Sequence, residues 1–587
     1  MIKIFKYLKS EEWICMAVSV IFIVMQVWLD LKLPDYMSEI TVLVQTKGSA
    51  MSEIWKAGGY MLLCALGSLV SSCVVGFFVA RIAAGISKRL RSLVYDKVQS
   101  FSMEEINHFS TASLITRSTN DVVQVQMFIS MGMQVMIKAP IMGVWAILKI
   151  SGKEWQWSLA TGIAILFILV ILVFVALFAL PRFRKIQGLT DNLNNVTREN
   201  LLGMRVVRAY NAEEYQEKKF EEANEELTHN NLVANRVMAI MNPGMSIAMN
   251  GLSLSIYWVG AYLINKAALT SKITIFSDMV VFTSYAMQVV MAFMMLTIIF
   301  IILPRAAVSA KRILEVFEMK ESIKDGDKTP DSNVKGCIEF RDVSFKYPDA
   351  GDYVLEHISF SAKQGETVAI IGSTGSGKST LLNLIPRFYD ATEGEVLIDG
   401  LNVKDYNLKE LRNKLGYVPQ KAVLFSGTVE NNIDFRDYGV EEKSSEKDIE
   451  HAARIAQAEE FIAKMEDGYQ AHIAQGGTNV SGGQKQRLSI ARAVCAKPEI
   501  YLFDDSFSAL DYRTDRILRK ALREETADVT NIIVAQRIGT IMDADLILVL
   551  DEGKMVGKGT HAELMKNCSV YQEIAYSQLS KEELANA

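Results

Sequence analysis

Residues 58–80, 159–180, 237–264 and 279–303 each run without a single charged side chain. A helix rises about 1.5 Å per residue and a bilayer's hydrocarbon core is roughly 30 Å thick, so each run is long enough to cross a membrane. Nothing constrains this chain more: the first half cannot fold around one water-shielded core. Two further spans are weaker. Residues 14–33 are apolar until Asp30 and Lys32, and residues 127–148 are interrupted by Lys138 and Pro140; both keep enough apolar length to cross if tilted or flanked by protein. Six spans are expected.

The net charge of −5 carries little information, because orientation follows the lysines and arginines next to the spans. Lys3, Lys6 and Lys9 precede the first span, Arg81, Lys88, Arg89 and Arg91 follow the second, and Arg182, Arg184 and Lys185 follow the fourth. Both termini are therefore expected in the cytoplasm, with the chain in the cell (cytoplasmic) membrane. The N-terminal apolar run lacks a small-residue cleavage site and reads as a short amphipathic helix and a retained span. The 6 cysteines show no metal-type pairing and predict no disulfide framework.

Residues 81–126 and 182–236 are polar with apolar residues at helical spacing, too long and regular for loops. They predict helical extensions of the spans that turn back through short crosswise helices near 102–111 and 201–211. The external connections, 47–55 and 265–272, are short. Residues 304–320 continue the last span as a helix, and 321–335 form a polar linker. From residue 336, short β-branched runs such as Val368-Ala369-Ile370-Ile371 alternate with helical stretches. The expected architecture is an α-helical membrane domain (1–320) of six transmembrane helices with long cytoplasmic extensions, fused through 321–335 to an α/β P-loop NTPase domain (336–587).

That second domain carries the chemistry. In Gly372-Ser373-Thr374-Gly375-Ser376-Gly377-Lys378-Ser379-Thr380 the glycines let backbone N–H groups close around phosphate oxygens at a helix N-terminus. Lys378 is placed to reach the β/γ-phosphates and Ser379 a Mg²⁺ ion. Asp504, ending the apolar run Tyr501-Leu502-Phe503, supplies a carboxylate for the metal's shell. ATP and Mg²⁺ are the expected cofactors.

Ser481-Gly482-Gly483-Gln484, between P-loop and Asp504, resembles the signature of ATP-binding cassette proteins. The resemblance extends to Tyr347 as the adenine-stacking aromatic, Gln420 as the Q-loop glutamine and a metal ligand, and Asp511 in the D-loop. Six spans ahead of one cassette resemble the half-transporters of the ABC exporter family, of the type IV exporter fold and multidrug-resistance-like. In that family two cassettes close head to tail, and each ATP lies between one chain's P-loop and the other's signature. Here the catalytic glutamate position holds Asp505 and the switch histidine position holds Gln536. Aspartate withdraws its carboxylate by roughly 1 Å, a displacement that can cost on the order of 10²-fold in rate, and glutamine cannot become a cation. The pattern resembles the degenerate-site half of a heterodimeric exporter, whose partner would carry the catalytic Glu and switch His. Ala474-Gln475-Gly476-Gly477 replaces the family's Gly-Glu-x-Gly before the signature.

The resemblance implies ATP-driven export of amphipathic, drug-like or peptide cargo, with membrane lipid around the spans and no nucleic-acid partner. A homodimeric lipid or peptide exporter and a non-pumping, ATP-gated regulatory ABC protein are the alternatives. For a cargo cavity the sequence offers Lys138, facing water or snorkelling to an interface, Asn242 before Pro243 in a kinked or hydrogen-bonded fifth span, and Met287, Met291 and Met294, pliable surface or ordinary packing.

Overall fold

The computed structural model describes residues 2–46, 49–151, 153–268, 271–330, 334–348, 350–435 and 444–579. Two compact units divide the chain, Met1–Gln99 with Thr111–Met319, and Ser100–Ser110 with Lys320–Ala587.

The first unit is all helical. After a 3₁₀ turn at Ile2–Tyr7 come α1 (Ser10–Gln45) and α2 (Met51–Gln99); α3 (Met103–Phe109) belongs to the other unit. Then follow α4 (Thr111–Ser118), α5 (Asn120–Met127), a π-helical turn at Phe128–Gly132, α6 (Met133–Ile150) and α7 (Trp155–Leu202). The unit closes with α8 (Met204–Ala209), α9 (Glu213–Ala239), α10 (Met241–Lys266) and α11 (Lys272–Glu318). Six helical segments among the described residues are long and apolar enough to cross a membrane. At 49 residues α2 measures about 74 Å, more than twice a hydrocarbon core. On α7, Leu159, Ile163, Leu166, Val170, Val173 and Leu177 all point away from the protein. A stripe of that length would be costly in water and is at home in lipid.

Two details depart from the sequence reading, and the kink offered for the fifth span is present. The third span is not one uniform helix but α4, α5, the π-helical turn and α6, with Pro140 inside the last. The fifth breaks at Ile240, because the Pro243 ring removes the hydrogen bond to the Ala239 carbonyl. The last helix ends at Glu318 instead of continuing to 320. Of the external connections, residues 47–48 and 269–270 lie outside the described residues, as do 331–333 of the linker.

The second unit is built on a ten-stranded sheet. Its strands are β1 (Ile338–Phe345), β2 (Leu355–Ala362), β3 (Thr367–Gly372), β4 (Glu393–Ile398), β5 (Leu401–Asn402) and β6 (Leu415–Val418). After a separate ribbon of β7 (Gly427–Thr428) and β8 (His472–Ile473) come β9 (Ile500–Asp504), β10 (Thr530–Val534), β11 (Leu546–Asp551) and β12 (Lys554–Gly559). The order is β5-β4-β1-β2-β12-β11-β3-β10-β9-β6. From β11 to β6 all neighbours are parallel, whereas β5, β4, β1 and β2 pair antiparallel. Every residue of β9 is buried, the signature of a parallel strand covered on both faces. The functional loops leave from the C-terminal ends of β3, β6, β9 and β10, where open α/β sheets place their ligands.

Helix α3 packs within this unit. Ser102 and Glu105 form a reciprocal capping box, and Glu105 also accepts the Ser322 N–H at 2.8 Å, tying α3 to the segment that leads into the sheet. At the other end Asn107 Nδ2 donates to the Tyr389 hydroxyl at 3.0 Å. Burial alone would raise the Glu105 pKa, but the hydrogen bonds from Ser102 and Ser322 outweigh it and hold the carboxyl below its ordinary value. A depressed carboxylate stabilises the fold above its unfolded pKa and ceases to as pH falls through the folded one. Protection of the Ser102 and Ser322 amides from exchange is therefore expected to hold at neutral pH and to be lost as pH falls through the lowered carboxyl pKa. Glu105→Gln should remove that acid dependence; an unchanged profile would show that another group holds α3.

Candidate ATP site

Strand β3 ends at Gly372, and the loop turns into a helix at Lys378–Leu384. A Cβ on Gly372 would lie 2.0 Å from the Leu550 carbonyl oxygen of β11, so only glycine lets the strand leave here. Gly375 and Gly377 adopt φ of 87° and 92°, the left-handed region that glycine enters freely. Lys378 Nζ lies 2.6 Å from the Ser373 and 3.0 Å from the Gly372 carbonyl oxygen, so the ammonium sits within the loop. Burial lowers its pKa, opposed by Asp505 and Asp504.

Ser379 Oγ donates to Asp504 Oδ1 at 2.7 Å. Burial raises the Asp504 pKa against that bond, with the neighbouring Asp505 adding to the rise. A hydroxyl and a carboxylate oxygen in contact suit a hard cation that takes its remaining ligands from phosphate and water. Tyr347 lies edge-on to Tyr389, ring centroids 5.3 Å apart, with its hydroxyl 3.0 Å from Thr380 Oγ1.

The three residues set apart by the sequence meet on one atom. Asp505 Oδ2 accepts from Gln420 Nε2 at 3.0 Å and from Gln536 Nε2 at 2.8 Å. Asp505 is 7% exposed, with a left-handed φ of 47°. Asp505 thus joins the loops after β6, β9 and β10.

The signature occupies the start of the helix Gly482–Cys495. Ser481 caps it: its N–H donates to Gln484 Oε1 at 2.8 Å and its hydroxyl accepts the Gln484 N–H at 3.3 Å. One turn on, buried Gln486 donates to the Pro419 carbonyl beside Gln420, linking the signature helix to the Q-loop. In the departing segment Gln475–Gly477, Gly476 and Gly477 have φ of 67° and 65°, and the Gly476 N–H donates to the Leu424 carbonyl. Asp511 caps the helix Tyr512–Glu525 through the Thr514 N–H at 3.0 Å.

The ABC transporter transmembrane region matches residues 15–316, and the ABC transporter domain residues 355–508. The chain belongs to the ABC transporter family. It is a half-transporter, one transmembrane region with one ATP-binding domain, of the exporter type, and it is an ATP-hydrolysing translocase. An uncharacterized ABC transporter ATP-binding protein of Mycobacterium bovis is 40% identical over 89% of this chain and 87% of its own length. An uncharacterized ABC transporter ATP-binding protein of Bacillus subtilis is 37% identical over 91% of each chain. The ATP-dependent lipid A-core flippase of Pseudomonas aeruginosa is 31% identical over 88% of this chain and 83% of its own. In fold, the chain resembles a bacterial Atm1-family ABC exporter solved with ATP bound, at a TM-score of 0.79 and 23% identity over 97% of this chain and 98% of that one.

Of the residues offered for a cargo cavity in this transporter, Lys138 is paired: its Nζ lies 3.6 Å from Asp30 Oδ2, and Ser68 Oγ donates to the other Asp30 oxygen. Asn242 and Met291 are exposed, Met287 and Met294 half-buried. Met294 packs against the core formed around Trp157, Phe282 and Tyr285. Sequence reasoning missed that Asp30 answers Lys138 and that Asp35 answers Lys149 and Tyr285. Opposite charges on different spans were the available signal.

Proposed function

We propose that this chain is the degenerate-site half of a heterodimeric exporter in the cytoplasmic membrane, with both termini and the cassette in the cytoplasm. It binds MgATP at its own P-loop, hydrolyses it slowly, and lends its signature to the competent site of a partner that carries the catalytic Glu and switch His. The observation that carries this reading is the double amide contact on Asp505. A general base needs a free carboxylate oxygen turned to the attacking water. Asp505 is a methylene short, and one of its oxygens already accepts two amide protons. A glutamine at 536 also supplies no positive charge beside a γ-phosphate.

Ser379, Asp504 and Gln420 would hold the Mg²⁺, which neutralises phosphate charge when bound. Cassette closure then biases the helical unit between inward- and outward-open states, because ATP binds the closed cassettes more tightly. The cargo is amphipathic. A lipid cargo handled by a homodimer is the second reading, favoured by the 31% identity to a protein named as a lipid A-core flippase.

Purified without a partner, the chain is expected to turn over ATP slowly, and co-expression with a half bearing Glu and His at these positions to raise turnover by about 10²-fold. Rapid hydrolysis by the chain alone, with no second half present by mass spectrometry, would return the homodimer. Uphill, ATP-dependent dye or lipid movement in vesicles separates a pump from an ATP-gated regulator.

A further inference from the structure

The switch position reaches Asp505 through its side chain, but its backbone is held from behind. The helix Ser569–Gln578 ends with a side-chain amide that grips the switch loop twice: Gln578 Nε2 donates to the Gln536 carbonyl at 2.7 Å, and Gln578 Oε1 accepts the Ile538 N–H at 2.8 Å. Ile538 is the first residue of the short helix Ile538–Ile541, so its N–H is one that helix geometry leaves unpaired. On the far side of that helix Arg519 donates through Nη1 to the Gly539 and Thr540 carbonyls, at 3.0 and 3.4 Å. Asp515, 3% exposed, fixes the guanidinium with a fork of two 3.0 Å bonds.

We propose that Gln578 is a positioning residue for the ATP site: by fixing the Gln536 carbonyl and the Ile538 N–H, it sets where the Gln536 side chain meets Asp505. The C-terminal helix thereby tunes how firmly this chain's own site retains ATP. Arg519 fixes one end of the switch segment and Gln578 the other, the end that bears Gln536. Without Gln578, the Gln536 carbonyl and the Ile538 N–H lose their side-chain anchor, leaving the Thr540 N–H on the Arg537 carbonyl and the Arg537 contact with Ser508 to hold the loop, and the switch side chain gains freedom. The argument depends on the family's ATP chemistry and not on the heterodimer, because the bond from Gln536 to Asp505 lies within this one chain.

The test uses the full transporter in its purified assembly, with retention of a photoreactive ATP analogue on this chain as the readout beside the melting temperature. Gln578→Met keeps the length and helix preference of the side chain and deletes both hydrogen bonds. Retention is expected to fall about two- to tenfold, the worth of one or two hydrogen bonds, while the melting temperature moves by no more than about 2 °C. Gln578→Glu keeps the acceptor for Ile538 but sets a carboxylate against the Gln536 carbonyl, and should behave like Gln578→Met. Because Gln578 acts through Gln536, adding Gln578→Met to Gln536→Ala should change nothing further. Three results would overturn the assignment: wild-type retention in either Gln578 variant, additive losses in the double variant, or losses that track a fall in melting temperature, as simple packing would give.

Discussion

Lys138→Met alone should cut the yield of folded, detergent-stable protein more than tenfold, whereas Asp30→Asn with Lys138→Met should recover most of it. From sequence alone Lys138 needed only water or an acceptor; the structure gives it Asp30, 3.6 Å away, with Ser68 on the second carboxylate oxygen. Removing the lysine leaves that carboxylate well inside α1 without its counter-charge. A lone charge costs about 2.5–3.5 kcal/mol at the centre of a span on insertion scales and less toward its end, where Asp30 stands, and stranding one partner of this part-buried pair is worse than replacing both. Replacing both leaves an amide that Ser68 can still donate to. Size-exclusion profiles and thermal unfolding of the two single variants and the double variant close the cycle. Equal stability of Lys138→Met and wild type would mean that the pair is an incidental contact and that Lys138 reaches water.

Gly482→Asp should lower ATP hydrolysis of the assembled transporter by about 10²–10³-fold, the scale set by losing donors aimed at a transition-state anion. If this chain's own site is the degenerate one, Asp505→Ala should cost less than about threefold, because a shortened carboxylate is a poor general base. The contrast is clean because of where Gly482 stands. It opens the signature helix, and a Cβ there meets nothing within 4 Å, so the substitution leaves this chain's own packing intact. A carboxylate in the first turn even suits the helix dipole. In the proposed head-to-tail pairing it would oppose the γ-phosphate of a nucleotide bound by the other cassette. Nucleotide binding at each P-loop, measured alongside turnover, separates loss of catalysis from loss of ATP. Equal damage from the two substitutions would refute the division of labour between the sites.

The membrane-spanning character of the chain and the identity of its P-loop were legible in the residues themselves, for a local reason. A span is a one-dimensional property, some twenty apolar residues in a row. A phosphate loop is a contiguous stretch whose glycines, lysine and serine act from one turn; Gly372, Gly375 and Gly377 are needed where sequence placed them. The short helices at Met103–Phe109 and Met204–Ala209 were readable because helical periodicity ran through stretches too long for loops.

Whatever depends on which distant residues meet was not legible. Asp505 and Gln536 could be named as unusual one at a time, but their meeting with Gln420 on a single oxygen depends on β6, β9 and β10 being sheet neighbours. Lys138 could be flagged as costly, yet its answer lies on another helix more than a hundred residues away. Gln578 carried no signal, since a glutamine at the exposed end of a helix looks like surface until the switch loop is found beneath it. Sequence by itself determined the elements and the chemistry that each can carry, because these follow from local propensity and contiguous motif. Tertiary structure alone decided the partners, because hydrogen bonds and ion pairs fall off within a few ångströms and only the folded chain brings those atoms that close.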